Sequence, residues 1–332
     1  MPDRSVLFFG DINVDNIFQL TTFPEIGRDA YAEHVEMHLG GAVSNSAVAL
    51  RLLGQPARLL GAVGDDIWTD YVLSELALAQ VETRHVVVKP GLQTGLIFIA
   101  VTPNGERTML SHRGANIALQ PDDLSQDVLD DIAFVQLVGY DFMEAPQRDA
   151  AWKLVEMAAD KGIPLSMDTG LDPVLLAQDA LQKVLPYLSV LITGTDEAER
   201  LTGATDRRLQ LDRFLSIGLD LVAIKSGREG AWLGFDDGVI HGPAFPVQVV
   251  DTTSAGDNFS AGLIYGYLHA FSPQGSLLLA NALGGMATTV YGAARFTRED
   301  VCAFLKQMQD QEAVDQDQAA LSEVLQRLEH SA

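Results

Sequence analysis

"DTTSAGDNFSAG" (residues 251–262) sets two carboxylates, Asp251 and Asp257, around a run of small residues at the start of a predicted amphipathic helix. The first N–H groups of a helix have no intrahelical partner, and the helix dipole adds about half a positive charge there. Small side chains at 254–256 let another molecule come close to that backbone, so the stretch can hold an anion such as a phosphoryl group. The same residue types also cap ordinary helices, so the pattern alone fits either a cap or an active site.

Asp257 lies in the first turn of this predicted helix, beside the candidate anion site. We expect the positive end of the helix to favour its ionised form, which makes it a carboxylate at neutral pH. A carboxylate about 3 Å from a substrate hydroxyl can accept the hydroxyl proton as a phosphoryl group is transferred. Asp257 is therefore the candidate general base.

A second cluster, "GGAVSNSAVAL" (40–50), puts a glycine pair directly before a predicted helix. Gly40 and Gly41 allow a backbone bend with no side chains in the way. Asn45, in the first turns of the helix, can bind hydroxyl groups as both donor and acceptor. This cluster predicts a ligand site only in combination with others, because a glycine pair before a helix is common.

A third cluster, "GDINVD" (10–15), follows a predicted buried strand. Asp11, Asn13 and Asp15 alternate along an extended segment, so we expect their side chains to point to one side. Three hydroxyl-binding groups in this arrangement suit a polyol ligand, and a polar strand end is the alternative.

The chain as a whole alternates short apolar runs with longer helical patterns, which predicts a three-layer α/β/α fold with a mostly parallel central sheet. The predicted strands are "SVLFFG" (5–10), "FVQLVG" (134–139), "PLSMD" (164–168), "VLITG" (190–194), "LVAIKSG" (221–227) and residues 247–250.

Two stretches, 16–39 and 94–113, predict strands without intervening helices. The second is predicted to be a hairpin with its turn at 103–105, and the two together predict a small β-sheet set apart from the main one. We expect residues 1–310 to form one domain and 311–332 an acidic helical tail that is solvated or loosely docked.

The composition excludes several classes of partner. Lys and Arg number 22 against 45 Asp and Glu, a formal net charge of −23 that repels nucleic acids and anionic membranes. The single cysteine, Cys302, is expected to be a small core residue in a reducing cytoplasm. We expect neither a signal peptide nor a membrane span, because no apolar run approaches the roughly 18 residues required.

Several common motifs are absent from the sequence. It contains no Gly-Lys pair of a Walker A loop, no G-x-G-x-x-G between a strand and a helix, and no C-x-x-C or H-E-x-x-H. His34 and His38 have a spacing that suits a metal on a helix, but their surroundings predict a strand, so we interpret them as surface histidines.

The three clusters, in this order, resemble the ribokinase-like sugar kinases of the PfkB family over about residues 4–305. "DTTSAGD" is similar to the family signature D-T-x-G-A-G-D, with Ser254 in place of the usual small Gly or Ala. The resemblance implies an ATP-dependent kinase that phosphorylates a primary hydroxyl of a sugar, with a β-sheet lid that closes over it. In many relatives the lid also forms a homodimer.

The resemblance also assigns roles to residues. The implied catalytic residues are Asp257 as the base, with Ser254, Ala255 and Gly256 of the anion hole. The implied substrate residues are Asp11, Asn13, Asp15, Gly40, Gly41, Asn45 and Arg113, although Arg113 is as readily interpreted as a surface arginine. The implied ATP residues are Lys225, Ser226, Gly227, Gly230 and Asn281.

Metal sites follow from the same resemblance. Glu197, in "ITGTDEAERLTG" (192–203), matches the glutamate that organises Mg²⁺, whereas the usual asparagine of that motif is Gly194 here. Asp251 and Thr253 match positions of a K⁺ site in potassium-activated members.

The substrate is not fixed by these motifs. Ala42 stands where ribokinases usually carry lysine, and "MDTGLD" (167–172) lacks the Asn and Arg that are frequent in fructokinase-like members. A nucleoside kinase with a lid wall of Phe18, Phe98 and Met109 is one alternative, and a non-catalytic sugar- or nucleotide-sensing relative is another.

Overall fold

The computed structural model describes residues 4–103, 107–310 and 317–330. Its strands are β1 (Ser5–Phe9), β2 (Asn13–Leu20), β3 (Ala32–Gly40), β4 (Ala57–Gly64), β5 (Glu82–Lys89), β6 (Gly95–Val101), β7 (Arg107–His112), β8 (Ile132–Val138), β9 (Leu165–Asp168), β10 (Val190–Gly194), β11 (Leu221–Lys225), β12 (Ala231–Phe235) and β13 (Gly238–Gly242). Its helices are α1 (Ala42–Leu52), α2 (Thr69–Leu78), α3 (Gln147–Asp160), α4 (Leu171–Leu176), α5 (Gln178–Val184), α6 (Thr195–Thr202), α7 (Arg207–Leu215), α8 (Ala255–Leu268), α9 (Pro273–Ala287), α10 (Arg298–Asp310) and α11 (Gln318–His330).

Nine strands form the central sheet in the order β13-β12-β11-β10-β9-β8-β1-β4-β5. The pairs from β11 through β5 are parallel, and β12 and β13 add an antiparallel edge. Because parallel strands share one carboxyl edge, the segments that follow β1, β9, β10 and β11 lie at the same edge of the sheet.

Helices cover both faces of this sheet, and β1 illustrates why. Val6 and Phe8 enter one buried cluster, while Leu7 enters the cluster on the opposite face. A strand buried on both sides has this continuous apolar sequence, since successive side chains point to opposite faces. The prediction of a three-layer α/β/α fold is confirmed.

A second sheet has four strands in the order β3-β2-β6-β7. It draws on the two stretches for which a small separate sheet was predicted, and that prediction is confirmed. The bounds differ slightly, because β2 already begins at Asn13. Of the predicted hairpin turn, Asn104 and Gly105 lie outside the described residues. We call this second sheet the lid.

Two predictions about the C-terminal half are wrong. Residues 247–250 form no strand; instead the amides of Val250 and Asp251 donate to the carbonyl of Thr288, and Val249 is exposed. Helix α11, expected to be solvated or loosely docked, packs on α9 and buries Leu321 and Val324 in the main core. The apolar run at 247–250 did not identify a strand, and the acidic composition of the tail did not identify a solvated helix. Neither pattern specifies which part of the protein the segment packs against.

Within the described residues no helix has the length and apolar character needed to cross a membrane. Cys302 is buried in α10, as expected for a small core residue.

Candidate active site

The predicted anion hole is the start of α8. Ser254, directly before it, has a left-handed backbone with φ of 57°. Its hydroxyl accepts a hydrogen bond from the amide of Ala294 at 3.1 Å, which ties the helix start to a neighbouring loop. Glycine adopts this conformation most easily, which accounts for glycine at this position of the signature, and Ser254 adopts the same conformation here. The first amides of α8, at 255–257, follow this bend and have no carbonyl four residues earlier in the helix.

Asp257 lies in the first turn of α8 and contacts α1. Its Oδ2 accepts a hydrogen bond from Asn45 Nδ2 at 2.8 Å, and its backbone carbonyl accepts one from Ser46 Oγ at 3.0 Å. Removal from water raises the pKa of Asp257 to about 6, and Asn45 opposes that shift. The expectation was a carboxylate at neutral pH, and burial raises the pKa but leaves it below 7. Most of the carboxyl is still ionised at pH 7.

Lys225 and Asp168 form an ion pair beside the anion hole. Lys225 Nζ lies 2.9 and 2.6 Å from the two carboxylate oxygens of Asp168, and Ser260 Oγ donates to Oδ2 of that carboxylate at 2.8 Å. A Cβ on Gly256 would lie 3.2 Å from Lys225 Nζ, so the ammonium group sits directly against the start of α8. Burial lowers the pKa of Lys225, but Asp168 and Glu197 raise it further, so the side chain is a cation.

Glu197 lies at the start of α6, where it caps the helix. Its Oε2 accepts hydrogen bonds from Gly194 N at 2.8 Å and from Thr169 Oγ1 at 2.5 Å. A Cβ on Gly194 would lie 2.9 Å from Oε1 of Glu197, so this carboxylate packs on the glycine that replaces the usual asparagine.

The residues present fit a magnesium ion shared with phosphates. Mg²⁺ binds through one or two protein carboxylates, with phosphate and water oxygens supplying the rest. Asp168 ends β9 and Glu197 follows the neighbouring strand β10, and both offer such oxygens. In the described part of the chain no group of three or more His, Cys, Asp or Glu side chains is placed to hold a metal, so a cage made of protein alone is not available there.

Asp15 and Asn13 share one face of β2, on the lid. Asp15 is 7% exposed, and among the described residues its Oδ1 has no hydrogen-bond partner. Burial, with a smaller contribution from Asp257, raises the pKa of Asp15 to about 7. A Cβ on Gly40 would lie 2.1 Å from Asp15 Oδ1, so only glycine leaves room for this carboxyl. Asn13 Oδ1 accepts from Asn116 Nδ2 at 2.9 Å.

Asp11 directly precedes β2 and binds Arg113. The Nε and Nη2 atoms of Arg113 lie 2.7 and 2.9 Å from the two oxygens of Asp11. Gln147 Nε2 also donates to Asp11. A Cβ on Gly41 would lie 2.1 Å from the Asp11 carbonyl oxygen, so the glycine pair lets α1 start against this segment. The interpretation of Arg113 as a surface arginine is wrong.

Asp251 and Thr253, the predicted K⁺ positions, are both buried. Asp251 Oδ1 accepts from Thr253 N at 2.9 Å and Oδ2 accepts from Gly292 N at 2.9 Å, which braces two loops together. Arg107, on the lid strand β7, donates from Nη1 to Thr253 Oγ1 at 2.9 Å. A lid side chain therefore reaches the loop that leads into the anion hole.

The predicted ATP residues separate into two groups. Lys225 ends β11 at the carboxyl edge, with its Nζ against the start of α8, and Ser226 and Gly227 follow it. Asn281 instead donates to the carbonyls of Gly242 and Pro243. Gly230 packs on the same segment, because its Cβ would lie 2.0 Å from the Gly242 carbonyl oxygen. Asn281 and Gly230 thus hold the end of β13 in place.

The lid has two different faces. Phe18 and Phe98 stack on each other with ring centroids 5.8 Å apart. Phe18 is three residues from Asp15 along β2, so alternation puts it on the opposite face. The aromatic wall expected from Phe18 and Phe98 therefore faces away from Asp15, and of the three predicted wall residues only Met109 shares the face of Arg107.

Sequence reasoning missed Asp168, Arg107, Asn116, Gln147 and Ser260. For Asp168 the sequence held a usable signal. Asp168 ends one predicted strand and Lys225 lies near the end of another, and parallel strands end at the same carboxyl edge of the sheet. The others are recognised only from contacts between distant segments.

Comparison with solved structures defines the class of fold. A nucleoside kinase from Burkholderia thailandensis in complex with inosine is similar over 91% of this chain and 96% of its own, with a TM-score of 0.77 at 23% identity. A ribokinase from Thermotoga maritima is similar over 91% and 99%, with a TM-score of 0.79 at 23% identity. The chain therefore has the ribokinase-type fold.

Sequence comparison then gives the family. The profile described as pfkB family carbohydrate kinase matches residues 3–300, and the chain belongs to this family. A ribokinase from Staphylococcus aureus (strain COL) is 26% identical over 79% of this chain and 85% of its own length. An ATP-dependent ribose-1-phosphate kinase from Halopiger xanaduensis is 28% identical over 92% of this chain and 99% of its own length.

Proposed function

We propose that this protein is an ATP-dependent kinase that phosphorylates a primary hydroxyl of a sugar, of the fructokinase or ribokinase type. The observation that carries the proposal is the hydrogen bond from Asn45 to Asp257 at the start of α8, with Lys225 packed against the same helix start. This arrangement combines a base, an anion-binding helix end and a cation, which are the groups that phosphoryl transfer requires.

In the proposed reaction, Asp257 accepts the proton of the substrate hydroxyl as that oxygen bonds to the terminal phosphorus of ATP. The bond from this phosphorus to its bridging oxygen breaks, and ADP leaves with the electron pair. The amides of 255–257 hold the oxygens of the transferred group, and Lys225 balances their negative charge. Asp15, Asn13 and Asn45 orient the sugar through its other hydroxyls. The lid excludes water when it closes, which prevents transfer to water.

Nucleotide and metal binding complete the proposal. We assign ATP to the carboxyl edge after β11, with Ser226 and Gly227 beside it. Asp168 and Glu197 would hold Mg²⁺, and a bound Mg²⁺ neutralises charge on the phosphates. Asp251 and Thr253 remain our proposed K⁺ site. The single cysteine, buried in α10, fits a reducing compartment such as the cytoplasm.

We also propose that the outer face of the lid forms a homodimer. This face carries Val35, Met37, Phe98 and Leu110, whose exposures are 50%, 40%, 46% and 67%. They lie on β3, β6 and β7 of the lid, and exposed apolar patches of this kind mark interaction surfaces. Leu110→Glu should convert a dimer to a monomer in sedimentation experiments, whereas a monomeric parent protein contradicts this assembly.

A panel of sugars and nucleosides scored for ATP consumption tests the proposed function. Turnover of at least one sugar supports it. Turnover of nucleosides alone would favour a nucleoside kinase. That function is less well supported, because Phe18 and Phe98 lie on the lid face opposite to Asp15 and give the base no wall. Tight binding without turnover of any compound would favour a sensor.

A further inference from the structure

The guanidinium of Arg113 binds Asp11, directly before β2, and its other donors are also committed to protein groups. Its Nε and Nη2 bind both oxygens of Asp11, and Nη2 also donates to Gln147 Oε1 at 2.5 Å and to the Tyr140 carbonyl at 3.2 Å. Nη2 carries two hydrogens for three acceptors. This side of the guanidinium fork therefore has no capacity left for a ligand.

The remaining nitrogen of Arg113 also faces an acid. Nη1 lies 3.4 Å from Glu144 Oε1, so one guanidinium stands between two carboxylates. The formal charge of Asp11, Arg113 and Glu144 together is −1. An anionic substituent placed here would meet a surplus of negative charge rather than a free arginine.

Lys225 and Arg107, the other cations described at the site, also lie beside carboxylates of the protein. Lys225 is paired with Asp168, and Arg107 lies 3.9 Å from Asp251 while donating to Thr253. Among the described residues, by contrast, the charged group that shifts the pKa of Asp15 is a second acid, Asp257. The sugar side of the site thus carries acids in excess.

We infer that the site takes an uncharged sugar and rejects sugar acids and sugar phosphates, with the Asp11–Arg113 pair as the specificity element. This inference rests on the proposed kinase function. An uncharged hydroxyl can donate to the unpartnered Oδ1 of Asp15, whereas a carboxylate or phosphate cannot. Repulsion between like charges a few ångströms apart is worth about tenfold to a hundredfold in binding at a partly buried site.

Pairs of substrates that share the acceptor hydroxyl and differ in charge provide the test. D-ribose and D-ribose 1-phosphate share the 5-hydroxyl, and D-fructose and 2-dehydro-3-deoxy-D-gluconate share a terminal 6-hydroxyl. We expect kcat/KM to favour the uncharged member of a pair by at least about tenfold. Equal or better turnover of the anionic member overturns the inference but leaves the kinase function standing. If no compound of the wider sugar and nucleoside panel is phosphorylated, the proposed function fails and the inference with it.

Variants test whether the acids around Arg113 are responsible. Asp11→Asn and Glu144→Gln each remove one carboxylate charge from Arg113, so both should shift the ratio of kcat/KM toward the anionic member, Asp11→Asn more strongly. Asp237→Asn, an exposed acid in the turn between β12 and β13, is the matched control and should leave the ratio unchanged. The ratio is the readout, because a merely structural role would lower both rates together. An unchanged ratio in both variants, with melting temperatures near that of the parent, overturns the assignment.

Discussion

Asn45 Nδ2 donates a 2.8 Å hydrogen bond to Oδ2 of Asp257, joining two helices whose contact residues are 212 positions apart in the sequence. Ser46 adds a second bond, to the backbone carbonyl of Asp257. Together they fix the start of α1 against the start of α8. A carboxylate held through one oxygen is oriented, and the other oxygen can face a substrate hydroxyl. The clusters at 40–50 and 251–262 thus form a single site.

The pH dependence of activity should follow from the raised pKa values of the two site acids. Asp257, with a pKa of about 6, must be ionised to accept a proton, and the ionised fraction falls about tenfold per unit below that value. Asp15 has a pKa of about 7 and binds hydroxyls best as a carboxylate. We expect kcat/KM to be level near pH 8 and to decline through pH 7 and 6. A profile that stays level down to pH 5 would contradict this assignment.

Replacement of Arg107 should shift the acid limb of that profile. Its positive charge lowers the pKa of Asp257, so Arg107→Met should raise this pKa and move the limb to higher pH. Arg107→Lys, which keeps the charge, should restore most of the profile. Arg84→Met, at an exposed arginine on β5, is the control. A lower rate with no change in the shape of the profile would mean that Arg107 acts only by holding the lid.

Replacement of Lys225 should affect ATP more than the sugar. Lys225 Nζ lies against the start of α8 and is paired with Asp168 on the phosphate side of the site. Lys225→Ala should raise KM for ATP by about tenfold or more and leave KM for the sugar nearly unchanged. Lys161→Ala, at an exposed lysine after α3, controls for loss of charge. A change confined to the KM of the sugar would show that the nucleotide is misassigned.

Potassium should activate the enzyme if the loop at Asp251 holds a monovalent cation. Asp251 braces this loop against Gly292, so a cation bound there would stiffen the approach to the anion hole. We expect a higher kcat in KCl than in NaCl at equal ionic strength, and no difference between the salts for Asp251→Asn. Equal rates of the parent protein in both salts would exclude this site.

How much was predictable differs between the fold and the site. Alternating apolar runs predicted the parallel sheet because strands buried on both faces, such as β1, are apolar throughout. Residues 247–250 have the same apolar character but meet a loop carbonyl at Thr288 instead of a strand. Hydrophobic periodicity indicates which residues are buried and the type of secondary structure, but it does not indicate which segment they pack against.

Site residues were predictable where one short segment contains both the reactive side chain and the residues that position it. Asp257 and Asn45 are such cases, since each lies in the first turns of a helix that follows small residues. Arg107 and Gln147 act through contacts with Thr253 and Asp11, more than a hundred residues away. Only the packing of the lid and of α3 on the main sheet brings such pairs together, so no local pattern marks them. The raised pKa of Asp257 has no local sequence signal either, because the burial of this carboxyl depends on the whole fold.

Asp257→Asn separates a helix cap from a catalytic base. Asparagine caps a helix about as well as aspartate, and its side-chain oxygen can still accept the hydrogen bond from Asn45. The variant should therefore fold, melt near the parent and bind nucleotide. It cannot accept the substrate proton, and general-base catalysis is worth roughly 10²–10⁴ in rate, so we expect kcat to fall by at least about 10²-fold. Asp149→Asn, at an exposed acid in the first turn of α3, is the matched control and should keep full activity. A folded Asp257→Asn protein that retains most of its turnover would leave Asp257 as a cap and remove the central residue of the proposed mechanism.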